Sequence, residues 1–204
     1  MLDMFFNAIH NVWPMIFIFT IIIVSIRITY LICNKKKLVF YKEITMFCFI
    51  IYLLLLYYIV TFQDNSYGTN NLIPFREIFR YDVSSKLFFK NVIGNILLFL
   101  PFGIFISNYI KNKTFFPTLL LSFIVSCAIE FTQSVIGRTA DIDDVILNTV
   151  GGVLGYLVYK LQNRIKLRLP KFMKSQIFLD VLSLFIILVI IYLAFKFNFW
   201  RIIW

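Results

Sequence analysis

Long apolar runs dominate the chain, and short polar intervals separate them. A helix rises about 1.5 Å per residue, so crossing a hydrocarbon layer about 30 Å thick takes roughly 20 apolar residues. Six runs meet or approach that length, over residues 12–33, 43–62, 87–110, 115–136, 144–161 and 177–199. The pattern predicts an all-α polytopic membrane bundle, because helices satisfy their own backbone groups where no water can. Residues 63–90 interrupt it with a stretch in which Leu72, Ile73, Phe75, Ile78 and Phe79 alternate with Arg76, Glu77 and Arg80. Such a segment is expected to be interfacial or re-entrant, since its apolar side chains would otherwise face water. The chain then divides into a two-helix segment (1–67), a core (68–160), a basic cytoplasmic linker (161–176) and an additional helix (177–204). The first run lacks the basic leader and cleavage site of a secretory signal and is expected to be retained.

Composition removes the competing classes. With 61% hydrophobic and 15% charged residues and a mean hydropathy of +0.87, neither a soluble domain nor a disordered chain fits. The net charge of +10 points to membrane orientation and anionic headgroups rather than to nucleic acid. Lys35, Lys36, Lys37 and Lys42, then Lys111 and Lys113, then Lys160, Arg164, Lys166, Arg168, Lys171 and Lys174 fall in alternate loops. The positive-inside rule makes those loops cytoplasmic and places both termini outside, with Trp13, Trp200 and Trp204 at the outer interface. Arg27 is expected to snorkel toward the inner surface. Cys33, Cys48 and Cys127 have no metal or disulfide spacing, so no disulfide partner is expected, and His10 is the only imidazole.

Ionisable groups within spans are costly, so their placement is the best guide to chemistry. They gather in one stretch: Asn91 and Asn95 on the third run, Glu130 and Gln133 on the fourth, and Arg138, Asp141, Asp143, Asp144 and Asn148 around the start of the fifth. Ser122, Ser126, Glu130 and Ser134 recur every four residues and predict one polar stripe. Gly151 and Gly155 predict close helix packing, and Pro101 with Gly103 allows a kink. Each group also has a plainer reading: the amides as cross-links between helices, Asp143 or Asp144 as a cap on the fifth helix, and Arg138 as a counter-charge for Glu130 or Asp141.

Asn71-Leu72-Ile73-Pro74-Phe75, then Asn91-x-x-Gly94-Asn95-x-x-Leu98-Phe99-x-Pro101-x-Gly103, Glu130-x-x-Gln133, Gly137-Arg138 and Asp141-Ile142-Asp143-Asp144-x-x-x-Asn148-x-x-Gly151-Gly152-x-x-Gly155 together resemble the VanZ family across residues 70–159. The resemblance implies a bacterial inner-membrane protein and low-level resistance to teicoplanin-type lipoglycopeptides. Three mechanisms are open to the residues. In the first, Arg76, Arg80 and Arg138 hold phosphate or carboxylate groups of a lipidated antibiotic or lipid-linked envelope precursor at the outer face, and the amides and carboxylates orient its sugars, its amines or a divalent cation. In the second, Glu130, Asp141, Asp143 and Asp144 are catalytic candidates of a metal-assisted enzyme acting on phospholipid or an undecaprenyl-linked precursor. In the third, Glu130 serves a small lipid or solute transporter. The lack of a nucleophile elbow, P-loop or paired metal motif favours binding over catalysis.

Overall fold

The computed structural model describes the backbone of residues 2–62, 71–111 and 113–196, and the side chains of 13–59, 71–111, 113–189 and 192. His10, Asp64, Asn70, Trp200, Arg201 and Trp204 lie outside the described side chains. The fold is all-α, with helices α1 (Leu2–Cys33), α2 (Phe40–Phe62), α3 (Arg76–Arg80), α4 (Lys86–Phe88), α5 (Gly94–Ile110), α6 (Phe116–Val135), α7 (Ile142–Arg168) and α8 (Gln176–Lys196). A π-helical turn, Phe89–Ile93, joins α4 to α5, and a 3₁₀ turn, Lys171–Lys174, precedes α8. Five stretches among the described residues are long and apolar enough to cross a membrane: Trp13–Cys33, Phe40–Ile59, Lys86–Ile110, Phe116–Val135 and Ile142–Arg168. The expected sixth span begins in α8, and its end falls beyond Lys196, outside the described residues.

The chain forms two units. One comprises Met1–Ile59 and Arg168–Trp204. Within it Arg27 does not snorkel alone. Its guanidinium makes a forked ion pair with Glu43 at 2.7 and 2.8 Å, joining α1 to α2. Two charges in apolar surroundings are far less costly paired than apart. The backbone N–H of Tyr41, in the first turn of α2, donates to Asp180 Oδ1 of α8 at 2.8 Å. That bond brings the basic turn before α2 and the basic turn before α8 to one end of the unit.

The other unit, Val60–Leu167, holds α3 to α7. Its centre is the crossing of α5 and α7, where backbones touch because side chains are missing. A Cβ on Gly103 would strike the carbonyl of Gly152, and one on Gly155 would strike the backbone of Leu100, Gly103 and Ile104. The polar stripe on α6 faces inward at Ser122, Ser126 and Glu130, with Thr118 one turn earlier, but Ser134 in the last turn is exposed, where the helix end leaves its neighbours. Ser126 Oγ accepts from Asn148 Nδ2 at 2.9 Å, and Ser107 and Thr118 share a hydrogen bond of the same length. Midway along α7 the Tyr156 hydroxyl donates to the Lys113 carbonyl at 2.7 Å, which fixes the basic α5–α6 turn there.

Two elements differ from the sequence pattern. Helix α7 does not stop near residue 161 but continues to Arg168. Lys160, Arg164, Lys166 and Arg168 are good helix formers, and hydropathy senses membrane depth rather than helix length. A π-helical turn at Phe89–Ile93, which the pattern does not predict, interrupts the third span, and Pro101 sits inside α5.

Candidate functional site

The site forms where α6 ends, α7 begins and the segment 71–81 lies across both. Helix α6 is closed by a Schellman motif: Gly137, at φ 82°, gives its N–H to Ser134 O at 3.2 Å, and Arg138 gives its N–H to Gln133 O at 2.9 Å. The positive φ explains glycine at this position, and the turn delivers Arg138 beside the last turn of α6. Three residues on, Asp141 caps α7. Its Oδ1 accepts the Asp143 N–H at 2.9 Å. The cap of that helix is therefore Asp141, not Asp143 or Asp144, because an N-cap side chain reaches the N–H two positions into the helix.

That leaves Asp143 free for another task. It is 1% exposed. Its Oδ1 accepts from the Phe75 N–H, and its Oδ2 accepts from Glu77 N–H at 2.7 Å and Ile78 N–H at 3.2 Å. One carboxylate thus satisfies the first N–H groups of α3 from another element. Phe75 adopts the left-handed region at φ 67°, a costly conformation for an aromatic residue that its bond to Asp143 helps to hold. The segment is stapled a second time at Asn71. Asn71 N–H donates to Ala140 O at 2.9 Å, and Ile142 N–H donates to Asn71 O at 3.0 Å. Its side-chain Nδ2 donates to Asp141 Oδ1 at 2.9 Å.

Glu130 completes the chain of contacts. It is 7% exposed, and its Oε2 accepts the Asp141 N–H at 2.8 Å. Asp144 accepts a hydrogen bond from Asn95 Nδ2, which ties α7 to α5. Glu130, Asp141 and Asp143 lie within electrostatic reach of Asp144, and Arg138 is the cation that both Glu130 and Asp144 feel. Burial raises the Asp141 carboxyl above the usual carboxylate range, helped by the Asp143 and Glu77 charges and opposed by the Asp143 N–H and Asn71 hydrogen bonds.

The structure therefore brings Asn95, Glu130, Arg138, Asp141, Asp143 and Asp144 together. Gln133 is buried on α6 and supplies the carbonyl that holds the Arg138 N–H. Asn148 sits deeper, on Ser126. Asn91 turns to another partner, donating to the Tyr81 hydroxyl at 2.9 Å, which in turn donates to Glu77 at 3.4 Å. Arg76 and Arg80 are exposed, and Arg80 pairs with Glu77 at 3.1 Å. Asn71, Glu77 and Tyr81 belong to the constellation as well; Asn71 opens the first motif of the family resemblance and Glu77 lies in the same segment, but only the fold sets Asn71 against Asp141, far along the chain. Among the described residues no three His, Cys, Asp or Glu side chains converge as metal ligands, since the carboxylates point at N–H donors instead.

Residues 49–163 match the VanZ/LLP1 family. The chain is 37% identical over 103 residues to Protein VanZ of Enterococcus faecium, across 50% of this chain and 63% of that relative. It thus spans less than two-thirds of the relative's length. No solved structure matches the chain. The family match covers the helices that build the site and more than half of the chain. With its apolar helices, this is a multi-pass membrane protein, and the chain belongs to the VanZ/LLP1 family.

Proposed function

We propose that the chain binds a lipidated or lipid-linked cell-envelope ligand at the polar site, on the outer face of a bacterial plasma membrane, and thereby confers resistance to teicoplanin-type lipoglycopeptides. One observation carries the reading: a cluster of half-buried Arg138, Asp141 and Asp144 with buried Glu130 and Asp143 stands at the mouth of three membrane-spanning helices, beside an apolar segment. Arg138 supplies a guanidinium fork suited to a phosphate or carboxylate. Asn95, Glu130, Asp141 and Asp144 supply acceptors and donors for sugar hydroxyls and amines, and the apolar faces around them accept an acyl or prenyl tail. The carboxylates are already engaged by N–H groups, which suits a preorganised binding surface better than a metal-assisted hydrolytic centre.

Charge supports the outward placement. The site lies at the start of α7, whereas the basic α5–α6 turn is held by Tyr156, about 21 Å further along that helix at the ordinary rise. Basic turns prefer the cytoplasm, which supports an outward-facing acidic end. Arg138→Ala and Glu130→Ala are expected to reduce the teicoplanin minimum inhibitory concentration to that of cells lacking the protein, while immunoblots show normal membrane accumulation. Full resistance at normal accumulation in both variants removes this site from the function.

A further inference from the structure

Segment 71–81 carries two faces of opposite character. Glu77, Ile78 and Tyr81 turn toward the protein and are half-buried, while Leu72, Ile73, Phe75, Arg76, Phe79 and Arg80 are exposed. The apolar members of the exposed face are large and open: Phe79 is 83% exposed and Leu72 73%. The depth of this face is fixed by its attachments. Asn71 is bonded to Asp141 and Ile142, and Phe75, Glu77 and Ile78 to Asp143, so the segment is tied to the first turn of the span Ile142–Arg168. The span Lys86–Ile110 starts five residues after Tyr81. A segment tied to the ends of two spans sits at the membrane boundary, where apolar side chains reach acyl chains and cations reach headgroups.

The two arginines on the exposed face are not equivalent. Arg80 is neutralised by Glu77. No ion pair engages Arg76 among the described residues, and Lys86 is exposed nearby in sequence. We propose that residues 72–79 are a membrane-inserted anchor, held in place by the Asp143 carboxylate, whose Leu72, Ile73, Phe75 and Phe79 enter the acyl region and whose Arg76 contacts the phosphate of an anionic lipid headgroup. The occupant of this face is the lipid leaflet itself. Charge complementarity supports that occupant over a second protein surface, because an unpaired guanidinium flanked by aromatic and aliphatic groups matches the phosphate-over-acyl layering of a bilayer. Arg76 on this reading serves the membrane rather than the ligand of the polar site, and the anchor stands whichever ligand that site takes.

The test uses the full chain in vesicles, with Trp13, Trp200 and Trp204 replaced by Phe and a single fluorophore introduced as Phe79→Trp, or as Leu72→Trp in a second variant. Lipids brominated high on the acyl chain are expected to quench the indole, and dissolved acrylamide is expected to quench it severalfold less than a free indole. Brominated phosphatidylglycerol should quench more than brominated phosphatidylcholine, and Arg76→Gln should bring that ratio to one. Asp143→Ala should restore acrylamide quenching as the segment comes away. Strong acrylamide quenching without a bromolipid effect in both reporters means the segment lies in water and overturns the anchor. Protection from both quenchers means protein covers the face and overturns it too. Equal quenching by the two lipids before Arg76 is altered overturns the headgroup contact.

Discussion

At the scale of single residues, the acidic groups divide by what each oxygen accepts. Asp143 has both oxygens committed to the backbone of 75–78, and hydrogen bonds to a charged acceptor contribute roughly 1.5–3 kcal/mol each. Asp143→Ala is therefore expected to free the N–H groups of Phe75, Glu77 and Ile78. Hydrogen exchange followed by mass spectrometry should show the peptide covering 75–78 exchanging at least tenfold faster, with the α6 core unchanged; unaltered protection there would show that the carboxylate does not hold the segment. Asp141 behaves differently because burial dominates its carboxyl and raises it. A carboxyl raised in the folded state favours folding while protonated, so its contribution is fully present below the ordinary Asp value of 3.8 and is lost as pH climbs through the raised value. The thermal midpoint of the detergent-solubilised protein should accordingly fall as pH rises through that window, and Asp141→Asn, which cannot ionise, should flatten the fall. Little of this division was legible in the sequence. Asp141, Asp143 and Asp144 are near neighbours of one chemical type, and the positions of Asn71 and Phe75, which distinguish them, are set by tertiary approach across some seventy residues.

At the scale of elements, hydrophobic patterning carried the prediction furthest. The spans, the inward polar stripe at Ser122, Ser126 and Glu130, and the close approach at Gly151 and Gly155 all follow from helical period and residue size. The π turn at Phe89–Ile93 does not, because one extra residue per turn leaves no mark in hydropathy. Asn91 and Asn95, four apart in sequence, bond on either side of that turn's end to Tyr81 and to Asp144. The glycines offer a sharp comparison within one unit. A Cβ on Gly155 meets backbone atoms of Leu100, Gly103 and Ile104, whereas one on Gly94 meets only Phe89 O at an ordinary 3.7 Å. Backbone cannot move aside as a flexible side chain does, so Gly155→Ala is expected to destabilise the protein by roughly 1–3 kcal/mol. Gly94→Ala should be neutral or stabilising by up to about 1 kcal/mol through helix propensity. Thermal unfolding of both variants in the same detergent decides the matter, and equal tolerance would mean that α5 and α7 are not packed backbone to backbone.

At the scale of the whole molecule, the excess of 20 basic over 10 acidic residues carries a prediction about insertion. The cations concentrate in the turn before α2, in the turn between α5 and α6, and from the last turns of α7 to the turn before α8, while Glu77, Asp82, Glu130, Asp141, Asp143 and Asp144 fall in the intervening connections or at the helix ends next to them. Successive spans alternate sides, so a single assignment of the basic turns fixes every other connection. The staple of Asn71 to Asp141 holds the acidic cluster at the start of α7, and the bond from Tyr156 to Lys113 holds the basic turn about 21 Å further along that helix. With Cys33, Cys48 and Cys127 replaced by Ala, exposed Ser84→Cys should react with a membrane-impermeant maleimide on intact cells. Exposed Lys113→Cys should react only after the membrane is permeabilised. The reverse pattern would put the arginine-and-carboxylate cluster in the cytoplasm, where an extracellular lipoglycopeptide cannot meet it, and would overturn the proposed ligand even if Glu130 and Arg138 proved essential.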